Sequence, residues 1–313
     1  MTDNCALALK IDVDTLKGYR EGLPRLLDML KCRGIRASIF FSMGPDNSGK
    51  AVRRIFRRGF VSKMLRTRAP STYGLKTLLY GTLLPAPMIV ESDPGLLRRA
   101  MDEGHDCGVH AWDHVFWQDW LPSLSREAVR GQFARSMELF ERVSGTAPAC
   151  CAAPGWQTTP DALAVQDELG FAYCSDVRGT GPSLPRVFLP RMGGTTFRTP
   201  QIPSTLPTLD ELWGTDGLDA DTVNDRYLDL LEPGVNVHTI HTEMEGGAMS
   251  GVFEALLDAC LEGEMAFMTL REVLAGAAAT ADGGAAPLPV SEVVMREIPG
   301  RAGTLAVQQA AEG

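Results

Sequence analysis

Two carboxylates stand one residue apart in Lys10-Ile11-Asp12-Val13-Asp14-Thr15, directly after an apolar run. If that run is a strand, Asp12 and Asp14 point to the same side, because side chains alternate along a strand. Unpaired carboxylates there would repel each other and be costly to desolvate, and a bound cation removes that cost. The pair predicts a cation ligand beside a general base, or the simpler arrangement of one helix cap and one solvated carboxylate.

Two of the five histidines, His110 and His114, stand four residues apart. This spacing brings both imidazoles to one face of a helical turn, an arrangement typical of metal ligands. With one carboxylate they would form a three-ligand site that leaves positions open for water and substrate, as catalytic metal centres do. A divalent ion there would activate water for amide hydrolysis. A pair of ordinary surface histidines is the competing interpretation.

A third histidine position comes from a late strand predicted at residues 235–241. His238 and His241 lie on opposite faces of that strand, so at most one of them reaches a site at its end. We select His241, which lies at the carboxyl end and would protonate a leaving amine or donate to an oxyanion, with a structural histidine as the alternative. Glu243 and Glu245 follow it, either as partners of the site or in a solvated loop.

The elements that must position these residues alternate between strands and helices. Strands are predicted at residues 6–13, 35–41, 171–175, 235–241 and 265–268, and helices at 21–33, 126–144, 160–169 and 252–261. This alternation implies a parallel sheet, and a closed or nearly closed β/α barrel is the architecture that suits so many units. Ligands of such a barrel gather at the carboxyl ends of its strands, where Asp12, Asp14 and His241 lie.

The composition narrows the class of protein. With 313 residues, of which 44% are hydrophobic, the chain can bury a sizeable core, and its net charge of −9 argues against a general nucleic-acid binder. Seven cysteines, with Cys150 and Cys151 adjacent, argue against a secreted disulfide framework and favour a reducing cytosol. We expect neither a signal peptide nor a transmembrane helix, since no suitable apolar run occurs.

One basic segment departs from the acidic average. Between Lys50 and Val90 the chain has nine Lys or Arg residues and no Asp or Glu, interleaved with Phe and Leu. We predict an inserted basic amphipathic helical segment at residues 48–90 that lies on an anionic membrane surface, with each cation contributing about 1 kcal/mol. A solvated basic face is the alternative. The predicted membrane contacts are Arg53, Arg54, Arg57, Arg58, Lys63 and Arg66.

The domain organisation follows from the same scan. Residues 1–274 are predicted as one domain that carries the insertion. Residues 275–289, rich in Ala, Gly and Pro, are predicted as a linker, and residues 290–313 as a C-terminal tail.

Together these motifs resemble the NodB-like polysaccharide deacetylase superfamily, which has two carboxylates after its first strand, then a His-x-x-x-His pair, and a histidine in its last motif. The resemblance implies a NodB-like distorted (β/α) barrel with Asp12 as general base and His241 as catalytic acid. It implies three metal ligands, Asp14, His110 and His114. Zinc is the first expectation for the ion, and manganese or cobalt would fit the same ligands.

Further stretches resemble the branch of this superfamily that deformylates a lipid-linked amino sugar. They are Ala37-Ser38-Ile39-Phe40-Phe41-Ser42, Gly44-Pro45-Asp46-Asn47, Ser175-Asp176-Val177-Arg178-Gly179, Gln201-Ile202-Pro203, Leu206-Pro207-Thr208 and Thr239-Ile240-His241. The implied substrate is 4-deoxy-4-formamido-L-arabinose on undecaprenyl phosphate, used for lipid A modification and polymyxin resistance. The implied location is the cytoplasmic face of the bacterial inner membrane. A NodB-type deacetylase of an N-acetylated sugar polymer and a non-catalytic membrane-associated scaffold are the alternatives.

One departure from the superfamily concerns its third motif, which usually has an arginine that orients the base. The matching region here, residues 151–156, has no arginine. Lys10, two residues back on the first strand, and Arg178 are the candidates to replace it, and Asp176 is expected to position His241 or Arg178. The residues predicted to surround the site or contact substrate are Lys10, Trp156, Asp176, Arg178, Glu243 and Glu245.

Overall fold

The computed structural model of the chain describes residues 5–51, 76–179, 181, 184–279 and 287–310. Its strands are β1 Cys5–Val13, β2 Ser38–Ser42, β3 Asp106–Ala111, β4 Cys150–Cys151, β5 Tyr173–Cys174, β6 Leu189–Met192, β7 Thr195–Thr196, β8 Gly234–His241, β9 Ala266–Met268, β10 Val290–Glu297 and β11 Thr304–Gln309. Its α-helices are α1 Leu23–Cys32, α2 Pro94–Asp102, α3 His114–Trp120, α4 Arg126–Ser144, α5 Pro160–Leu169, α6 Leu209–Leu212, α7 Val223–Asp229, α8 Ser250–Glu262 and α9 Leu270–Ala278. The six predicted membrane contacts, from Arg53 to Arg66, lie outside the described residues.

The main sheet is parallel, and β1 lies next to β8 at one end of the strand order. The strand order is β5-β4-β3-β2-β1-β8. Along one edge β1 pairs with β8 over eight residues, and along the other it pairs with β9 in its first half and with β2 in its second half. The α/β class predicted from the alternation of strands and helices is confirmed.

An irregular segment, residues 200–206, fills the gap between β5 and β8. The Cys174 N–H donates to the Pro200 carbonyl at 2.8 Å, and the Thr205 N–H donates to the Val237 carbonyl at 3.0 Å. Two residues of this segment, Pro200 and Pro203, lack the N–H that a regular strand needs for its ladder, so the segment cannot form one. The distorted barrel predicted from the sequence is therefore confirmed, with its irregular seam at this segment.

Alternation along β1 divides its side chains between the two faces of the sheet. Leu7, Leu9, Ile11 and Val13 belong to the large core beneath the helices. The residues between them face the inside of the barrel, where Ala8 packs in a smaller apolar cluster with residues of β2, β4 and β5. Lys10 and Asp12 lie on this inner face, which explains how the strand carries charge into the interior.

Helix bounds follow the capping residues that the sequence contains. The Ser125 side chain accepts from the Ala128 N–H at the start of α4, which ends at Gly145 with φ of 80°. The Thr159 side chain does the same for α5, which ends at Gly170 with φ of 71°. The predicted helix at residues 126–144 is confirmed at both ends.

A second sheet has the order β11-β10-β6-β7 and includes the segment predicted as a tail. The strand β11 is held to the barrel at Arg178, whose N–H donates to the Ala306 carbonyl at 2.9 Å and whose carbonyl accepts from the Gln308 N–H at 2.8 Å. The helix α9 reaches Ala278, four residues into the predicted linker. The C-terminal hairpin formed by β10 and β11 thus packs directly against a predicted site residue.

Candidate active site

Asp14, His110 and His114 converge at the carboxyl ends of β1 and β3. One carboxylate oxygen of Asp14 lies 3.3 Å from His110 Nε2, and the other lies 3.3 Å from His114 Nε2. One ligand atom from each residue lies within 4.8 Å of the other two. A carboxylate and two imidazole nitrogens that face one point form a donor set suited to a divalent transition metal ion.

The two histidines reach this point from different elements, so the prediction that one helical turn carries both is wrong. His110 lies on β3, and His114 is the first residue of α3. The Asp113 side chain accepts from the Phe116 N–H at 2.9 Å and so caps that helix after the strand has ended. A strand end followed at once by a helix start brings the imidazoles together as closely as a helix would, with ring centroids 5.3 Å apart.

The orientation of His110 is fixed by the neighbouring strand segment. Its Nδ1 lies 2.8 Å from the Ala152 carbonyl oxygen, which can only accept, so Nδ1 carries the proton and Nε2 keeps its lone pair for a ligand role. Burial opposes ionisation of Asp14, but the charges and hydrogen bonds of His114 and His110 in their protonated forms outweigh it and hold the Asp14 pKa well below its usual value. With neutral imidazoles, a bound cation would act on the Asp14 pKa in the same direction. The carboxylate is therefore ionised at neutral pH, as a ligand must be.

Asp12 lies beside these ligands with a buried lysine as its partner. The Lys10 Nζ is 3.2 Å from Asp12 Oδ2, and the two side chains are 0% and 5% exposed. Among the described residues the other oxygen, Oδ1, has no hydrogen-bond partner. Lys10 rather than Arg178 thus occupies the position next to the candidate base, and the free oxygen is available to accept a proton.

Behind this pair, Trp156 is surrounded by cations rather than by solvent. The Lys10 Nζ lies 5.0 Å from its ring centroid, and the guanidinium carbons of Arg178 and Arg301 each lie 4.8 Å away. Only 2% of Trp156 is exposed. The ring therefore stabilises these buried cations through cation–π interactions, and its face is not open to a sugar.

Arg301 reaches the site from the turn of the C-terminal hairpin, and sequence analysis did not identify it. Its guanidinium lies 3.4 Å from Asp210 and 3.5 Å from Glu211. Arg178 pairs with the same Glu211 at 2.8 Å. The glycines on either side of Arg301, Gly300 and Gly303, indicated a turn but not the surface to which it would dock.

Asp176 is held by two amides rather than by His241 or Arg178. Its Oδ2 accepts from the Gln166 side-chain amide at 2.6 Å and from the Gln201 amide at 3.3 Å. Burial raises the Asp176 pKa, and the two amides and the Lys10 charge act in the opposite direction. Gln166 and Gln201, rather than His241 or Arg178, therefore position the Asp176 carboxylate.

His241 lies opposite Asp12 in the register of β1 and β8, so both side chains face the barrel mouth. Burial lowers the pKa of His241, against the nearby charges of Asp14, Asp210 and Asp12. Its backbone N–H donates to Glu245 Oε2 at 2.9 Å. The neutral imidazole therefore lies within the same group of side chains as the candidate base.

Glu243 and Glu245 are each only 1% exposed, so a solvated loop is excluded for both. Burial raises the pKa of Glu245 to about 8. Burial and the Asp14 charge raise the pKa of Glu243 well above its usual value. Close packing explains this burial, because a Cβ on Gly22 would lie 1.9 Å from the Thr242 carbonyl oxygen, so only glycine fits there.

The stretch Gly44-Pro45-Asp46-Asn47 connects the loops that carry the ligands. The Asp46 carboxylate accepts from the Leu16 N–H at 2.8 Å, just after Asp14 in the chain. The Asn47 amide donates to Asp113 at 2.6 Å, just before His114. These two hydrogen bonds fix the separation of ligands that come from distant parts of the sequence.

Comparison with known proteins gives both a family and close relatives. The polysaccharide deacetylase family matches residues 11–174. A protein of Shewanella sediminis named probable 4-deoxy-4-formamido-L-arabinose-phosphoundecaprenol deformylase is 37% identical over 96% of this chain and 94% of its own. A protein of the same name from Wigglesworthia glossinidia brevipalpis is 29% identical over 93% of this chain and 98% of its own.

A solved structure from Pseudomonas aeruginosa PAO1, described as a probable polysaccharide deacetylase, has the same fold. It aligns with a TM-score of 0.56 at 14% identity, over 86% of this chain and 89% of its own. Within the described ranges, no helix combines the length and the apolar character needed to cross a bilayer.

Proposed function

The chain belongs to the polysaccharide deacetylase family, and we propose that it is a metal-dependent deformylase acting on 4-deoxy-4-formamido-L-arabinose carried on undecaprenyl phosphate. The products are formate and the 4-amino-4-deoxy-L-arabinose lipid. The 37% identical relative, which the chain matches over nearly its whole length, supports this choice of substrate.

One observation carries the proposal: two imidazole nitrogens, on His110 and His114, face the two oxygens of Asp14 at 3.3 Å each, and a second carboxylate lies beside them. The side chains of Asp14 and His114 are 17% and 16% exposed, so this cluster is open to solvent on one side. An open side is what distinguishes a catalytic from a structural metal centre.

The ion supplies, when bound, a water of lowered pKa and a polarised formyl oxygen. Asp12 accepts the proton of the attacking water at Oδ1, while Lys10 pairs with Oδ2 and holds the carboxylate in place. The C–N bond of the formamide then breaks, and the leaving nitrogen takes a proton from the His241 side of the barrel mouth. A neutral His241 must first receive the proton that it donates, and Asp12, its register partner on β1, would supply the proton taken from the water.

The membrane part of the proposal rests on the sequence alone. A substrate on undecaprenyl phosphate presents its sugar at the cytoplasmic surface of the inner membrane, and the basic segment between Lys50 and Val90 would bring the enzyme there. Neutralising Arg53, Arg54, Arg57 and Arg58 together should abolish flotation with anionic liposomes but leave hydrolysis of a water-soluble formamido sugar. Retained flotation would contradict the membrane role.

Mass spectrometry of a formamido-arabinose phosphoprenol is the direct test of the activity. Wild type should remove the mass of one formyl group, and both a chelator and Asp12→Asn should stop the reaction. Metal content is measured in each sample, so that loss of the ion and loss of the base are told apart. Turnover that survives complete removal of metal would refute the mechanism.

A second candidate, deacetylation of an N-acetylated sugar polymer, is favoured by the family description alone. The same assay separates the two, because the acetamido analogue of the lipid and an N-acetylated oligosaccharide can be offered beside the formamide. Preferential turnover of either would replace the deformylase proposal.

A further inference from the structure

A second cluster of metal-ligand side chains lies inside the sheet, away from the barrel mouth. The Sγ atoms of Cys151 and Cys174 are 3.0 Å apart, and a carboxylate oxygen of Asp176 lies within 4.8 Å of both. These two cysteines face each other in the register of β4 and β5. All three residues are at most 1% exposed.

A buried carboxylate next to two thiols is costly to leave without compensation. The Asp176 Oδ1 has no hydrogen-bond partner among the described residues, although Oδ2 accepts from two amides. Burial raises the pKa of Cys174 to about 12 and that of Cys151 well above its usual value, so both thiols are protonated. A cation at the centre would satisfy the free oxygen and stabilise both sulfurs as thiolates.

We propose that Cys151, Cys174 and Asp176 form a second, structural metal site for a thiophilic divalent cation of the zinc or cadmium class. Binding breaks two S–H bonds, forms two metal–sulfur bonds and releases two protons to the buffer. With metal–sulfur bonds of about 2.3 Å in tetrahedral geometry, the sulfurs open from the observed 3.0 Å to about 3.8 Å. The Gln166 amide stays in its place beside the site, where its Nε2 donates to Asp176 Oδ2 at 2.6 Å and lies 3.5 Å from Cys151 Sγ.

The location gives the ion a structural task. The strands β4 and β5 have two residues each, and each residue of β4 pairs with one residue of β5. An ion bound by one cysteine from each strand and by Asp176, whose carboxylate accepts from Gln166 of α5, would join the edge of the barrel to its covering helix. A closed ligand set with no exposed position is the form that structural sites take.

Cadmium titration of the reduced full-length protein tests the site, because sulfur-to-cadmium charge transfer absorbs in the ultraviolet and the Asp14 cluster contains no sulfur. Wild type should gain this absorption at one ion per chain, with a higher melting temperature. Cys151→Ser and Cys174→Ser should lose both effects. The matched control Cys260→Ser, which removes another buried thiol on α8, should keep both effects.

Three results would contradict the second metal site. Equal absorption in all four proteins would place the ion elsewhere, and no absorption in reduced wild type would exclude the site. A Cys151–Cys174 disulfide found by mass spectrometry in protein that takes up no cadmium after reduction would also overturn the proposal. If the serine variants do not fold, Asp176→Asn serves instead and should retain the absorption with weaker affinity. Because His114→Ala should leave the absorption intact, this test is independent of the deformylase proposal.

Discussion

Two three-residue clusters of this molecule differ in what surrounds them. The barrel-mouth cluster of Asp14, His110 and His114 has two side chains about one-sixth exposed and uses nitrogen and oxygen donors. The sheet cluster of Cys151, Cys174 and Asp176 is sealed and uses two sulfurs. Both clusters offer three candidate ligands, so the difference indicates that solvent access, more than the number of ligands, distinguishes a catalytic site from a structural one. Each of the following predictions tests that division.

The largest effect should come from removing a ligand at the barrel mouth. We expect His114→Ala to lose the bound ion and at least about 1,000-fold in kcat/KM, because the activated water goes with the ion. In the sheet cluster, Cys151→Ser should keep kcat/KM within about threefold of the wild-type value, which corresponds to a difference in activation free energy of under about 1 kcal/mol. Formate release and elemental analysis measure both variants.

The control for that comparison is a buried histidine remote from both clusters. His105 is 7% exposed, and its Nδ1 accepts from the Ala37 N–H at 3.1 Å. His105→Asn keeps an acceptor atom and should retain full ion content and activity. Equal losses in His105→Asn and His114→Ala would mean that general destabilisation, rather than ion loss, explains the result.

Replacing the candidate base should separate chemistry from ion binding. Asp12→Asn is expected to lower kcat by about 100- to 10,000-fold, the range of general-base catalysis, with unchanged ion content. Single-turnover kinetics and metal analysis on one preparation provide the measurement. Loss of the ion in this variant would instead assign Asp12 to the ligand set.

Removing the partner of the base should lower kcat less than removing the base itself. Lys10→Met leaves a buried carboxylate without its cation, which costs about 3–5 kcal/mol of folding stability. Lys10→Arg retains the charge and should restore most of the stability and of kcat. Urea unfolding and formate release measure both variants, and wild-type stability and kcat in Lys10→Met would reduce Lys10 to a packing role.

The smallest effect concerns stability behind the barrel mouth. The Glu245 pKa of about 8 lies above its unfolded value near 4.5, so the folded state keeps a proton that the unfolded state releases. Stability should therefore fall as pH rises within this window, by at most about 1.4 kcal/mol per pH unit. Glu245→Gln, which can still accept from the His241 N–H, should remove the Glu245 share of this decline, while the raised pKa of buried Glu243 leaves a decline of the same sign.

Urea unfolding between pH 6.5 and 8 is the suitable measurement for Glu245. Below pH 6.5 His238 makes the folded protein less stable as the pH falls. Burial lowers its pKa to about 3, so the unfolded chain binds a proton that the folded chain does not bind. The His238 contribution fades over the next pH unit and is the same in wild type and Glu245→Gln, so the difference between their curves reports Glu245 alone. Parallel stability curves for wild type and Glu245→Gln in this range would show that Glu245 is ionised in the folded protein.

Local patterns in the sequence predicted most of the fold. Alternation along the first strand predicted Asp12 and Asp14 on one side, and the helices predicted at residues 126–144 and 160–169 have those bounds in the structure. The spacing of His110 and His114 led to the right pair but to the wrong element. A separation of four residues fits a helical turn and also a strand end followed by a helix start, and only the tertiary pairing of β3 decides between them.

Contacts between distant parts of the chain were not accessible from local patterns. The choice of Lys10 over Arg178 beside Asp12 depends on where Arg178 goes, and Glu211 and the Leu206 carbonyl hold it elsewhere. Arg301 approaches Trp156 only because β11 pairs with the backbone of Arg178. No periodic pattern in the sequence indicates which surface of the barrel a hairpin will dock onto.

The hydrogen bond from His110 Nδ1 to the Ala152 carbonyl has a consequence for how discriminating the barrel mouth is. It anchors one imidazole, whereas the ring of His114, in the first turn of a short helix, has no such backbone anchor among the described residues. A pocket with one immovable and one compliant donor accommodates a spread of ionic radii. Selection among first-row ions then falls to cellular supply and to their intrinsic affinity order.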